Sequence, residues 1–358
     1  MAELRDQIAA LESRALGNPA AMLSLARMLR KDGQNERALA MCHAALALAP
    51  KDAKLAAQIQ FFVNDAVPEW HFSIVKDTAR NEAYDTALRR AVTPVSRVLE
   101  IGAGTGLLAM MAARAGAAEV FTCEMNPAVA EKATEIVALN GYAERVRVLA
   151  KHSDTLDADA DMGGRADILV SEIVSNNLLG EDVLPAHEHA MRHLMKPGAR
   201  VIPARGRLRV SLAYDGRVEE RGLATVAGFD LSPFNALAQP VREIRVGVEK
   251  LSLMSEPADL FVFDFASSDY CAPSQSSVTL ASSGGCVNGI AQWIALDMDE
   301  VTGYENRPRP GAKSCWAALF YPFQKPIDTE PGETIRICGS HDRHRVSIWP
   351  RSSRNGAG

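Results

Sequence analysis

An apolar strand that runs into spaced glycines, and two glutamates nine residues apart, are the features of this sequence whose types and spacing can do chemistry. Val98-Leu99-Glu100-Ile101-Gly102-Ala103-Gly104-Thr105-Gly106 leads from a strand to a helix start. Glycine there lets the backbone approach a ligand with no Cβ in the way, and helix N-terminal amides can face a carboxylate. A nicotinamide dinucleotide also sits on such a turn, but the G-x-G-x-x-G spacing is absent and Glu100 would repel a pyrophosphate. The same carboxylate can hold an ammonium group. Glu124 ends the next strand roughly 20 residues on, where a carboxylate accepts both ribose hydroxyls. Lys151-His152-Ser153 follow the third strand, where an adenine would lie. Together these point to S-adenosylmethionine, with Gly102, Gly104 and Gly106 under its methionine end. The bland alternative for Glu124 is a solvated strand-end charge, and for His152 an ordinary loop histidine.

The glutamates stand in Ser171-Glu172-Ile173-Val174-Ser175-Asn176-Asn177-Leu178-Leu179-Gly180-Glu181. Their spacing does not put them on one helix face, where separations of three, four or seven are needed. A hairpin-like loop can point both inward. Two nearby carboxylates repel unless a cation lies between them, and a planar guanidinium satisfies both through bidentate hydrogen bonds. Alignment of such a substrate supplies much of the ~7–11 kcal/mol available from proximity.

At this point the chain resembles the protein arginine methyltransferase family, whose double-glutamate loop begins Ser-Glu and carries a second Glu nine residues later. The resemblance spans roughly Trp70 to Pro350. It implies that Glu172 and Glu181 grip a substrate guanidinium while a methyl passes to one of its nitrogens. Trp70 to Asn81 looks like the family's cofactor-covering segment, and Arg80 matches the arginine that pairs with the cofactor's carboxylate. Lys151-His152-Ser153 and Gly180 to Ala190 look most like the members numbered seven and nine. The ninth also carries tetratricopeptide repeats ahead of its catalytic part. One departure stands out: the family's Thr-His-Trp loop reads Ser314-Cys315-Trp316 here. In many members that histidine pairs with the aspartate matching Asp77, so Cys315 removes the pair, while Trp316 can still wall the substrate pocket. Ser175, Asn176 and Asn177 are neutral, so a strongly arginine-rich substrate is not expected.

The elements that must position these groups read as three segments. Residues 1–62 are helical, with apolar positions Met22, Leu25, Ala26, Leu29 and then Ala38, Leu39, Cys42, Ala45, Leu46. Pro19 to Asp52 resembles one tetratricopeptide repeat, too few for a free solenoid, so it is expected to dock on the next domain or on a partner. Residues 63–203 alternate strand and helix, the pattern of a Rossmann-like parallel sheet, with a helix expected over 188–195. Residues 204–352 carry short alternating runs such as Leu208 to Leu212 and read as an antiparallel β-barrel; the family resemblance implies a dimerisation arm in this domain, with Gly228 to Asn235 in its region. Residues 353–358 read as a disordered tail. The fold class is thus α/β with a following β domain.

Composition agrees with that reading. The 358 residues are 47 % hydrophobic and 23 % charged, with a net charge of −5. That balance disfavours nucleic acid as a partner and suits a cationic one, here a protein or peptide containing arginine. No apolar run is long enough for a membrane span, and the first residues are no signal peptide. Six dispersed cysteines without a Cys-x-x-Cys pair fit a reducing, cytoplasmic compartment. His187-Glu188-His189 falls short of a metal motif because position 191 is Met191. No G-x-S-x-G nucleophile is present. Two rival readings remain at this stage: a methyltransferase acting on another peptide side chain or a small molecule, and a non-catalytic scaffold that binds the cofactor.

Overall fold

The computed structural model describes residues 2–218, 222–247 and 251–351; the tail expected over 353–358 lies outside the described residues. Four helices open the chain: α1 (Ala2–Ala15), α2 (Pro19–Lys31), α3 (Asn35–Leu48) and α4 (Ala53–Asn64). Asn18 caps α2 by accepting from the Ala20 and Ala21 amides, with Pro19 at the first position, where a missing N–H costs nothing. The apolar stripe of α2 packs on the small residues Ala38, Cys42 and Ala45 of α3, and Leu55, Ile59 and Phe62 of α4 complete a separate core. This helical unit docks on the neighbouring α/β domain: Asn126 donates to the Ala66 carbonyl at 2.7 Å, and His43 lies 3.4 Å from Glu131.

Two helices, α5 (Trp70–Ile74) and α6 (Thr78–Ala91), lead into the parallel sheet. Its strands are β1 (Arg97–Ile101), β2 (Glu119–Cys123), β3 (Val146–Leu149), β4 (Ala166–Ser171) and β5 (Met195–Ile202), in the order β3-β2-β1-β4-β5. Helices α7 (Leu107–Arg114), α8 (Pro127–Leu139), α9 (Ala158–Met162) and α10 (Val183–His193) connect them. The helix expected over 188–195 therefore starts earlier, and Met195 opens β5 instead. The chain reverses direction of strand addition between β1 and β4, and ligands of open α/β sheets bind beyond the strand ends at such a switch point.

The second half is antiparallel. Strand β6 (Arg205–Asp215) is followed by a small hairpin of β7 (Thr225–Val226) and β8 (Phe229–Asp230), then by β9 (Arg242–Ile244), β10 (Leu251–Leu253) and β11 (Ala258–Asp264). The remaining strands are β12 (Ser274–Ala281), β13 (Gly285–Asp297), β14 (Gly303–Glu305), β15 (Ala318–Thr329), β16 (Thr334–His341) and β17 (Val346–Arg351). A seven-stranded sheet is built around β6, β13 and β15, and β12, β16 and β17 form a second sheet. One apolar core runs from the parallel sheet into this domain, joining Leu178, Leu208, Phe265 and Leu296.

Candidate active site

Beyond the ends of β1 and β4 lies a cavity of about 600 Å³, within the range that holds a nucleoside-sized ligand. Its floor is the glycine turn. Gly102 has φ 84°, and a Cβ there would come within 2.7 Å of the Ile173 side chain, so no other residue fits without displacing Ile173 in the loop after β4. Gly104 and Gly106 are also left-handed. Glu124, buried at the end of β2, accepts from the Gly104 amide at 3.2 Å and the Asn126 amide at 2.9 Å, which leaves its carboxylate fixed at the cavity edge. Glu100 is buried on the same wall, accepting from the Thr122 hydroxyl at 2.6 Å. Burial pushes its pKa up to about 8, against the pull of Thr122 and Arg80. An ammonium group beside it would restore the charged form. Lys151, His152 and Ser153 line the far end; Lys151 pairs with Asp161 at 2.5 Å and His152 contacts Asp154.

Glu172 and Glu181 face the same cavity, as the hairpin-like loop required. The loop between them is braced by its own neutral side chains. The Gly180 amide donates to Ser175 Oγ at 2.9 Å and to Asn177 Oδ1 at 3.0 Å. Leu178 (φ 70°) and Asp182 (φ 57°) hold left-handed conformations that cost a non-glycine residue of order 1–3 kcal/mol each. Glu172 is deeply buried, and Arg80 donates to its Oε2 at 2.7 Å. Its Oε1 and the Nε of Arg80 are buried without a hydrogen-bond partner. Burial raises the Glu172 pKa to about 8; Arg80 opposes the rise and Glu181 adds to it. Glu181 stands at the open end of the cavity, and the protein around its carboxyl raises its pKa as well.

One residue stands elsewhere than the sequence suggested, and another keeps partners the sequence did not name. Trp316 does not wall the cavity: it lies behind the loop, its indole N–H donating to the Val174 carbonyl at 2.9 Å. Asp77 keeps partners without a histidine, accepting from the Tyr304 hydroxyl at 2.6 Å and the Cys315 amide at 3.0 Å. Among the cavity residues that escaped the sequence reading, one is a titratable side chain beside the glutamate loop. His344, in the turn after β16, reaches Asp182 at 2.5 Å beside Glu181. Its neighbour Arg343 anchors that turn through a buried pair with Glu188 of α10 at 2.8 Å.

A cavity over a 3-2-1-4-5 switch point, glycine-floored at one end and acidic where a ribose would lie, defines a methyltransferase of the S-adenosylmethionine class. Known proteins agree. The ribosomal protein L11 methyltransferase (PrmA) family model matches residues 84–202. The arginine N(omega)-methyltransferase of Streptomyces achromogenes subsp. streptozoticus is 39% identical over 90% of this chain and 91% of that protein. Protein arginine N-methyltransferase 7 of Danio rerio is 28% identical over 77% of this chain, which spans 44% of that longer protein. Among solved structures, the Trypanosoma brucei PRMT1 enzyme-prozyme heterotetrameric complex with AdoHcy matches with a TM-score of 0.68 and 22% identity, over 78% of this chain and 96% of that one. The chain belongs to the arginine N-methyltransferase family, and its cofactor is S-adenosylmethionine. Among the described residues no helix is long and apolar enough to cross a membrane.

Proposed function

We propose that this chain methylates a guanidinium nitrogen of arginine, which Glu172 and Glu181 grip between them. The observation that carries the reading is Glu172 Oε1, a buried acceptor without a partner in the cavity that also takes Glu181. A buried acceptor left bare costs about 1–3 kcal/mol, which a substrate N–H recovers. The cofactor supplies an electrophilic methyl on its sulfonium sulfur. Guanidinium is a poor nucleophile because its lone pairs are delocalised. The two carboxylates draw positive charge onto the nitrogens they bind, leaving electron density on the nitrogen that attacks. A C–N bond forms, the S–C electrons stay on sulfur, and the proton shed by the methylated nitrogen passes to a glutamate. Arg80 holds Glu172 in place and is the group that meets the cofactor's carboxylate. Glu100 takes its ammonium group, Glu124 its ribose, and Lys151, His152 and Ser153 border the adenine.

The test is transfer of labelled methyl to arginine by Glu172→Gln and Glu181→Gln. Each is expected to fall about 100-fold or more, as when a preorganised electrostatic group is removed. Unchanged transfer in both sinks the assignment.

A peptide or protein arginine fits a slot that opens between the two domains. A second reading, free arginine, is favoured by the Streptomyces relative, whose name does not specify a protein. The neutral brace of Ser175 and Asn177 also offers no charge to neighbouring basic residues. Free arginine and arginine peptides compared at equal concentration separate the two. We also propose self-association through residues 222–237, where Phe229, Phe234 and Leu237 are exposed.

A further inference from the structure

Asp77 sets two carboxylate oxygens against the Arg80 amide, the Tyr304 hydroxyl, and the amide and thiol of Cys315. Its Oδ1 takes the Arg80 amide at 3.0 Å and so caps α6. Its Oδ2 takes the Tyr304 hydroxyl and the Cys315 amide. A carboxylate only accepts, so Tyr304 spends its one hydrogen on Asp77. The 2.6 Å contact between Tyr304 and Ser314 must then run from the serine hydroxyl to the phenolic oxygen. Ser314 Oγ accepts in turn from the Trp316 amide at 3.0 Å. The result is a one-way chain from Trp316 through Ser314 and Tyr304 to Asp77, in which each link polarises the next. Asp77 and Tyr304 are 8% and 7% exposed. Burial alone would raise the Asp77 pKa, yet these hydrogen bonds hold it below the usual carboxylate range.

Both ends of the chain reach Glu172. Trp316 donates through its indole to Val174, two residues past Glu172. Asp77 starts the helical turn that carries Arg80, and Arg80 grips Glu172. We infer that Tyr304 is a positioning residue for methyl transfer. Its hydroxyl locks the first turn of α6 to the Ser314–Trp316 loop and thereby sets where Arg80 holds the Glu172 carboxylate. The side-chain lock comes from Tyr304 of β14, and the Cys315 amide and thiol of the loop add to it, so Asp77 keeps partners although Cys315 stands at that position. This inference rests on the proposed role of Glu172 as a guanidinium ligand.

Tyr304→Phe removes the hydroxyl and keeps the ring, which meets Trp316 edge-on at 5.5 Å. With Arg80 and Glu172 loosened, kcat is expected to fall about 10- to 100-fold, the scale of an ångström-sized misplacement. KM for arginine should move by less than about threefold, because the contacts to substrate remain. A hydroxyl that merely stabilises the fold would lower Tm and leave kcat per cofactor-binding site at the wild-type level; that outcome overturns the inference. A raised KM with unchanged kcat also overturns it. If the phenylalanine variant does not fold, Ser314→Ala keeps the tyrosine and removes its donor. It should lower kcat about two- to fivefold, the worth of one hydrogen bond, and wild-type kcat there is contrary. Glu172→Gln, measured in parallel, separates the two readings. Retained transfer in that variant removes the reading of Glu172. Lost transfer there, with wild-type kcat in Tyr304→Phe, removes only the role of Tyr304.

Discussion

Glu172 is an acid that burial has moved to a pKa of about 8, and it must be charged to hold a cation. Its sign fixes a pH dependence. In the free protein it is mostly protonated below about 8, so kcat/KM for an arginine substrate should climb with pH and level off above that value. A bound guanidinium favours the carboxylate, so the limb of kcat should lie at lower pH than that of kcat/KM. A kcat/KM profile flat from about pH 6 to 9 contradicts this. That Glu172 and Glu181 face one cavity was legible in the sequence because they belong to one loop, and that Glu124 lines it because it follows the glycine turn at a short distance. The pairing of Arg80 with Glu172 was not. The residues lie 92 positions apart, and a family resemblance assigned Arg80 only its cofactor role. His344 carried no signal at all: it belongs to no motif, and its partner Asp182 is 162 positions away.

At the scale of elements, the start of α8 shows what local sequence can specify. Asn126-Pro127 reads as a cap followed by proline, and Asn126 Oδ1 indeed accepts from the Ala128 amide at 3.1 Å. The same side chain donates to Ala66, so one residue both starts α8 and ties the N-terminal helices to the sheet. Asn126→Ala should cost about 1 kcal/mol in a urea titration, the usual value of a lost cap. The Glu124 hydrogen bond from its backbone amide should survive, leaving cofactor affinity nearly unchanged. A variant as stable as wild type argues against the tie. The first four parallel strands were readable as apolar runs, with Gly102 after β1 and the Asn126 cap after β2 marking two of their ends, whereas β5 was not. Pairings in the β domain were not: β13 lies between β6 and β15, far from one of them in sequence. Such register is set by packing and not by any local run. Trp316 illustrates the consequence, since its position behind the loop depends on β15 and its neighbours.

The whole molecule joins a helical unit, a cofactor-binding sheet and a β domain, and the loop that carries Glu172 and Glu181 lies where the last two meet. The segment around β7 and β8 exposes Val226, Phe229, Leu231, Phe234 and Leu237 within a dozen residues, an apolar patch of the kind that marks an interaction site. Resemblance to the family placed Gly228 to Asn235 in the arm region, and the exposure of these side chains in the fold supports the proposed self-association. Wild-type protein is expected to sediment as a dimer, and Phe229→Asp with Phe234→Asp as a monomer. Equal sedimentation of the two removes the arm from the account. The central claim, that two glutamates hold a guanidinium against the methyl donor, is tested most directly by finding where the methyl goes. The wild-type chain is incubated with methyl-deuterated S-adenosylmethionine and arginine, free or in a peptide, and the label is located by fragmentation mass spectrometry. The account predicts label on a terminal guanidino nitrogen; label on lysine or another side chain, with arginine unmodified, contradicts it.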